Sequence, residues 1–291
     1  MTTESPDDGA RRSTITGHAL TIDVEDWFHD DWRPDHGVDW DRLPSTVSAD
    51  VDLLLELLAA AGSRATFFVL GDVAAREPAL VRRIVAAGHE IASHGYAHRR
   101  VSTQSRREFA ADVEASLAVL ADSAGAPVQG YRAPYFLNRP RELWAIDVLA
   151  ELGVRYDSSY VPVRWMPYLG RDIPRAPYRH ACGVWEFPLP FAEAFGGWNL
   201  PYAGGGAMLR FLPYRTLRHF MRVHQAEVGP AVVYVHPWEL DPVTRTLPGT
   251  PGYVRLWKRL GRSRTRSNLG RLLTDFRFAP IREVYAAELA R

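Results

Sequence analysis

Apolar and polar positions along this chain switch repeatedly between a strand period and a helix period. Residues 18–27, "HALTIDVEDW", open with an apolar, β-branched run and close in a burst of carboxylates. A buried strand reads this way when its carboxyl end opens into a site. Residues 45–62, "STVSADVDLLLELLAAAG", carry capping residues, apolar positions at helical spacing and a terminal Gly62, so a helix is predicted there. Strand-like "RATFFVLG" (64–71), amphipathic "DVAAREPALVRRIVAAG" (72–88) and strand-like "HEIASHG" (89–95) follow. This βαβαβ alternation predicts a parallel sheet covered by helices.

The rhythm continues through a long helix (102–125), strand "VQGYRAP" (128–134), a helix (139–153) and strand "VRYDSSY" (154–160). It fails between Val161 and Pro213, where Pro, Trp, Tyr and Gly dominate. Loops of that length in a compact domain are usually functional, so this stretch is read as a long aromatic-rich insertion on the ligand face. Helix 214–229, strand "PAVVYVHPWEL" (230–240), a basic helix and a last strand "FAPIREV" (278–284) restore the alternation. The expected architecture is a single α/β domain over residues 18–291, with about seven parallel strands curving into a barrel. Residues 1–17 are expected to be a disordered tail.

Composition changes this picture little. A chain of 291 residues can bury a full core as one domain, and 46% hydrophobic with 24% charged residues excludes a disordered or collagenous chain. The net charge of +1 predicts no strong field for nucleic acid. Arginines concentrate in "RLWKRLGRSRTRSNLGR" (255–271), interleaved with aromatic and apolar residues at helical spacing. That stretch is read as a solvated helix face, with contact to an anionic surface the lesser option. Cys182 is the only cysteine, which excludes an intrachain disulfide. No apolar run reaches the roughly 18 residues of a membrane span, and the first residues lack a signal-peptide core, so a soluble cytoplasmic protein is expected.

Chemistry enters with "EIASHGYAH" (90–98), which places His94 and His98 four residues apart. On a helical turn such residues are neighbours, and neutral imidazole is a common ligand for catalytic metals. Alone, the pair is as readily a surface feature or a hydrogen-bonded part of the core. Other candidates stand at other strand ends: Asp23, Glu25 and Asp26 after the first, Arg132 after the fourth, Asp157 after the next and His236 after a later one. In a parallel barrel all of these ends open onto one face. Hydrolysis near neutral pH without a nucleophilic Ser or Cys needs a metal, with separate groups moving protons. The rival motifs fail: "HGYAH" lacks the Glu of a zincin, "AGGGAM" lacks the Lys and spacing of a P-loop, and no GxSxG elbow is present.

Four ordered motifs, "TIDVED", "HGYAH", "RAPY" and "VHPW", resemble those of the NodB-homology polysaccharide deacetylases, carbohydrate esterase family 4. The longer strings "DVEDWF", "ASHGYAH", "GYRAPYF" and "VHPWELDP" resemble most the branch found with bacterial exopolysaccharide loci and PEP-CTERM systems. The resemblance runs from about Leu20 to Val284 and implies a NodB-type distorted barrel. It implies Asp23 as general base supported by Arg132, His94 and His98 as metal ligands, and Glu25 or Asp26 as the third. It also implies that the Tyr135 main-chain N–H binds the oxyanion and that His236 is the general acid. The "DSSY" carboxylate, Asp157, is expected near this His, and Trp27, Pro134, Trp238 and Asp157 beside the substrate. The metal expected is Zn²⁺, though Co²⁺, Fe²⁺ or Ni²⁺ suit the same donors.

Aromatic faces stack on sugars, and Trp27, Phe28, Trp32, Tyr135, Phe136, Trp165, Tyr168, Trp198, Tyr202 and Trp238 lie in or near the motifs and the insertion. The implied reaction is metal-dependent removal of N-acetyl groups from N-acetylhexosamine units of a bacterial exopolysaccharide or its precursor. Association with membrane-bound exopolysaccharide machinery would follow. A different small amide as substrate, or a non-catalytic glycan-binding module, are the alternatives.

Overall fold

The computed structural model describes residues 17–29, 39–137, 140–161, 174–194, 198–200 and 205–291. In chain order the elements are β1 (His18–Val24), α1 (Val47–Ala60), β2 (Thr66–Val69), α2 (Gly71–Arg76), α3 (Pro78–Ala86) and β3 (Glu90–Ser93). Then come α4 (Arg106–Ala124), β4 (Gly130–Tyr131), α5 (Trp144–Glu151), β5 (Tyr156–Asp157), β6 (Tyr178–Arg179) and β7 (Trp185–Glu186). The second part holds β8 (Ala192–Ala194), β9 (Trp198–Leu200), α6 (Gly205–Phe211), α7 (Tyr214–Glu227) and β10 (Val232–Val235). It ends with α8 (Gly252–Arg259), α9 (Arg262–Asp275), β11 (Phe278–Ala279), α10 (Ile281–Val284) and α11 (Ala286–Leu289).

The main sheet runs β10-β1-β2-β3-β4-β5-β7-β6, and β11 pairs β1. Every pairing from β10 to β7 is parallel, as is that of β11 with β1, and only β6 is antiparallel, so eight of the nine strands in this sheet are parallel and form a half-barrel, an open version of the expected barrel. Strand β1 is buried at all seven positions, because β10 and β2 flank it and apolar side chains cover both faces. The largest core cluster joins β1, β2 and β10 to α1, α3, α7 and α9, and its members run from Leu20 to Phe278. Helix α1 buries Val47, Val51, Leu54 and Leu58, the stripe its spacing predicts.

Local departures from the sequence pattern have identifiable causes. The helix expected over 72–88 breaks at Glu77, because Pro78 lacks an N–H and restricts the residue before it, and two helices result. The last expected strand continues for only two residues before Pro280 caps α10. The basic helix divides at Gly261, whose φ is +73° and where a Cβ would lie 2.8 Å from the Arg210 carbonyl oxygen. The stretch read as an insertion from Val161 to Pro213 is only partly one, since β7 joins the main sheet beside β5. The tail, residues 1–16, lies outside the described residues, and Gly17 is buried.

Candidate active site

At the carboxyl end of β1 the chain alternates. Asp23 and Glu25 turn toward the strand ends, while Asp26 turns away to the start of α1. Asp26 Oδ1 accepts from the Thr46 and Val47 N–H groups (2.8 and 3.2 Å), and Oδ2 accepts from Ser45 Oγ (2.7 Å). Burial raises its carboxyl above the ordinary value, with the bonds from Thr46 and Ser45 opposing. Asp26, one of the two options for the third ligand, is therefore a helix-capping carboxylate whose acceptor atoms are already used.

The histidine pair sits on a loop, and the helical-turn geometry expected for it does not occur. Gly95 (φ +74°) turns the chain, His98 itself has φ +50°, and Asp112 of α4 accepts from the Tyr96 and Ala97 N–H groups (2.7 and 3.3 Å). This clamp folds His98 back toward His94. His94 Nδ1 donates to the Arg132 carbonyl oxygen at 2.9 Å, which leaves Nε2 with its lone pair facing the site. Burial lowers the His94 pKa to about 4, so the ring is neutral, the form that binds metal.

One ligand atom each from Glu25, His94 and His98 lies within 4.8 Å of the others. Glu25 Oε2 is buried, 2.6 Å from His98 Nε2 and 4.0 Å from His94 Nε2. Burial favours its neutral form, but His98, His236 and His94 outweigh that and hold the carboxyl well below the usual range. A charged carboxylate and two imidazole nitrogens converging on one buried point suit a divalent cation. Glu25 Oε1 is turned the other way, accepting from Trp238 Nε1 at 3.3 Å and lying 3.5 Å from His236 Nε2.

Beside this trio, Arg132 is fully buried and donates from Nη1 to Asp23 Oδ1 (2.7 Å) and Thr21 Oγ1 (2.8 Å). Its Nε and Nη2 donate to Ser158 O (2.8 Å) and Ser158 Oγ (2.9 Å), and its guanidinium stands 4.2 Å from the Phe68 ring centroid. Four donated bonds and an aromatic face hold one cation against one oxygen of Asp23.

The "RAPY" turn is strained, with Tyr135 and Phe136 at φ +59° and +62°. "DSSY" anchors both of its ends: Ser159 Oγ accepts from the Ala133 N–H (2.8 Å) and Ser159 O from the Leu137 N–H (3.0 Å). Tyr135 Oη donates to His29 O at 3.2 Å, and its ring lies 4.7 Å from His98 and 3.7 Å from the Arg100 guanidinium.

Two expectations are corrected here. The carboxylate at His236 Nδ1 is Glu239, not Asp157: Glu239 Oε1 is 3.4 Å from Nδ1, and Oε2 accepts from the His236 N–H at 3.1 Å. Burial disfavours the charged ring, but Glu239 and then Glu25 overcome it and push the His236 pKa up to about 10. Asp157 is buried in register with Glu186 and accepts from Ser159 Oγ at 2.5 Å. Trp27 is likewise a packing residue, donating from Nε1 to Pro44 O (3.0 Å) in a cluster with Phe28, Trp238 and Leu247. Trp238 is buried too, stacked on the His236 ring at 5.2 Å, and Pro134 is buried within the turn itself. Trp32, Trp165, Tyr168 and Tyr202, with the side chain of Trp198, lie outside the described residues. Sequence reasoning missed Glu239, although "HPWE" has the capping-box spacing, and it missed Glu186, for which no pattern signals.

Comparison with known proteins follows this geometry. Residues 36–156 match the polysaccharide deacetylase family model, and residues 158–286 match a domain of unknown function, DUF3473. A chitooligosaccharide deacetylase of Sinorhizobium fredii is 40% identical over 97 residues, 33% of this chain and 42% of that protein. A peptidoglycan deacetylase of Helicobacter pylori is 26% identical over 184 residues, 61% of each. The chain spans about two fifths of the length of the chitooligosaccharide deacetylases it matches. A provisionally named polysaccharide deacetylase from Mycobacterium smegmatis superposes with a TM-score of 0.61 at 23% identity, covering 94% of this chain and 89% of that one, a likeness of fold. Fold and matches together show an α/β half-barrel with a stretch, residues 36–156, similar to polysaccharide deacetylases. The stretch matched by that family model, less than half of the chain, is similar to the polysaccharide deacetylase domain.

The two family matches meet at residue 157, but the sheet runs through the junction. Strands β5 and β7, and β1 and β10, pair across it. His94, His98 and Arg132 fall in the first match, His236 and Glu239 in the second, and Asp23 and Glu25 before either.

Proposed function

We propose that this protein is a metal-dependent hydrolase that removes N-acetyl groups from N-acetylhexosamine units of a bacterial exopolysaccharide or its precursor. The convergence of Glu25, His94 and His98 beside the Asp23–Arg132 pair carries this reading. Glu25, His94 and His98 would hold the ion, with Zn²⁺ the first choice for two imidazoles and a carboxylate. When bound, a divalent ion supplies Lewis acidity toward the acetamide carbonyl and acidifies water.

The chain's own groups move the protons. Arg132 holds Asp23 Oδ1 and leaves Oδ2 to accept the proton of the attacking water. The main-chain N–H of Tyr135 donates to the oxyanion of the tetrahedral intermediate, and the strained turn presents it. His236 Nε2, charged and supported at Nδ1 by Glu239, protonates the amine nitrogen as the C–N bond breaks. Acetate and a free amino sugar result. The "DVEDWF" and "VHPWELDP" strings support an exopolysaccharide, and the named substrates of the relatives support an N-acetylated glycan.

Acetate release from a panel of N-acetylated glycans, with and without chelator, tests the proposal. Activity on at least one glycan, abolished by chelator and restored by Zn²⁺ or Co²⁺, is expected. Activity that survives full removal of metal would overturn the mechanism.

A further inference from the structure

Helix α8 turns an apolar stripe to solvent. Tyr253, Leu256, Trp257 and Leu260 recur at i, i+3, i+4 and i+7, the spacing of a stripe that a globular protein turns into its core. Here they are 70%, 57%, 47% and 49% exposed, while Lys258 between them is buried with its Nζ 5.6 Å from the Trp238 ring. Phe211, at the end of α6, extends the patch with its ring 6.0 Å from Trp257.

The charge around this stripe is one-sided. Residues 242–274 hold eight Arg or Lys and no Asp or Glu, in a chain whose net charge is +1. Arg255 and Arg259 are exposed on α8 itself, and Arg264 and Arg266 on the following helix. The solvated helix face expected for this stretch is thus an apolar, aromatic face among cations.

We propose that the outward face of α8 docks the protein on an anionic lipid bilayer. Trp, Tyr and Leu side chains enter the headgroup and upper acyl region, and the neighbouring arginines meet lipid phosphates while their stems lie along the same apolar layer. This occupant accounts for both halves of the surface. A nucleic acid would use the cations and leave the Leu–Trp stripe in water. A second copy of the chain would cover the stripe but press two like-charged sets of arginines together. Helix α8 is tied to the candidate active site, since Arg262, just beyond it, donates to the carbonyl of Trp238, whose indole reaches Glu25. The docking proposal itself does not depend on the reaction.

Co-sedimentation of the full chain with vesicles tests it, comparing phosphatidylcholine alone with an equimolar mixture containing phosphatidylglycerol. Two double variants, Leu256→Ser with Trp257→Ser and Arg255→Gln with Arg259→Gln, are compared once circular dichroism shows wild-type melting. The wild type is expected to pellet with the anionic vesicles and to be released by salt. Loss of Leu256 and Trp257 is expected to weaken binding at least about tenfold, and loss of the two arginines to remove the preference for anionic lipid. Stripe variants that pellet like the wild type, or a wild type that ignores anionic vesicles, would overturn the proposal. So would a dimer that the stripe variants dissociate, or binding of duplex DNA that they leave unchanged with no vesicle binding.

Discussion

Adjacent carboxylates at the end of β1 have opposite fates because side chains alternate across an extended chain. Glu25 faces His94 and His98, whereas Asp26 spends both oxygens on the start of α1. Glu25→Ala is therefore expected to lose bound Zn²⁺ in equilibrium dialysis while the fold survives. Asp26→Ala is expected to keep the metal and to cost about 1–2 kcal/mol in urea unfolding, the usual range for a lost helix cap. The reverse pattern would show that the carboxylates have been given each other's roles. The tandem acids in "DVED" announce a site, but the choice between them rests on where α1 begins in space, which spacing along β1 does not encode.

At the scale of elements, the "DSSY" segment after β5 works as a clamp on "RAPY". Ser158 holds Arg132, and Ser159 holds Ala133 and Leu137 on either side of the strained turn. Asp157 and Glu186 lie side by side beneath it, both fully buried. Burial raises both acids, Asp157 well above the ordinary range with Glu186 adding to it, and Glu186 to about 7. The unfolded chain releases the Glu186 proton near its ordinary 4.5, and the folded protein keeps it to about 7. Between those values the folded state binds more protons, so stability falls as pH rises, by on the order of 3 kcal/mol from this group. Glu186→Gln is expected to flatten that slope in denaturant midpoints measured from pH 4.5 to 7, and an unchanged slope would discount the buried pair. "DSSY" was legible as a strand end, but its carboxylate was matched to His236, whose partner Glu239 lies only three residues further along its own chain.

For the whole molecule, the junction between the two family matches at residue 157 is not a boundary in the core. Strand β1 needs β10 as well as β2, and the main cluster draws from both sides of that junction. The full chain is expected to unfold in one transition in which far-ultraviolet dichroism and tryptophan fluorescence coincide. A fragment ending at residue 157 leaves one edge of β1 unpaired and is expected to lack cooperative unfolding. A fragment with a native-like transition would divide the chain into two domains. Among the described residues no helix is long and apolar enough to cross a membrane, so contact with a bilayer would rest on surfaces such as α8.

By itself the sequence determined the alternation of strands and helices outside residues 161–213 and the parallel sheet, because periodicity and caps act within a few residues. It also pointed to the two imidazoles of "HGYAH", which the fold brings beside Glu25. Tertiary structure decided the rest: that Glu25 and not Asp26 lies beside His94 and His98, that Glu239 lies against the His236 ring, that β7 belongs to the sheet, and that α8 turns its apolar stripe outward. Each of these depends on which side of an element meets a neighbour distant in sequence, and packing of the whole chain selects that side.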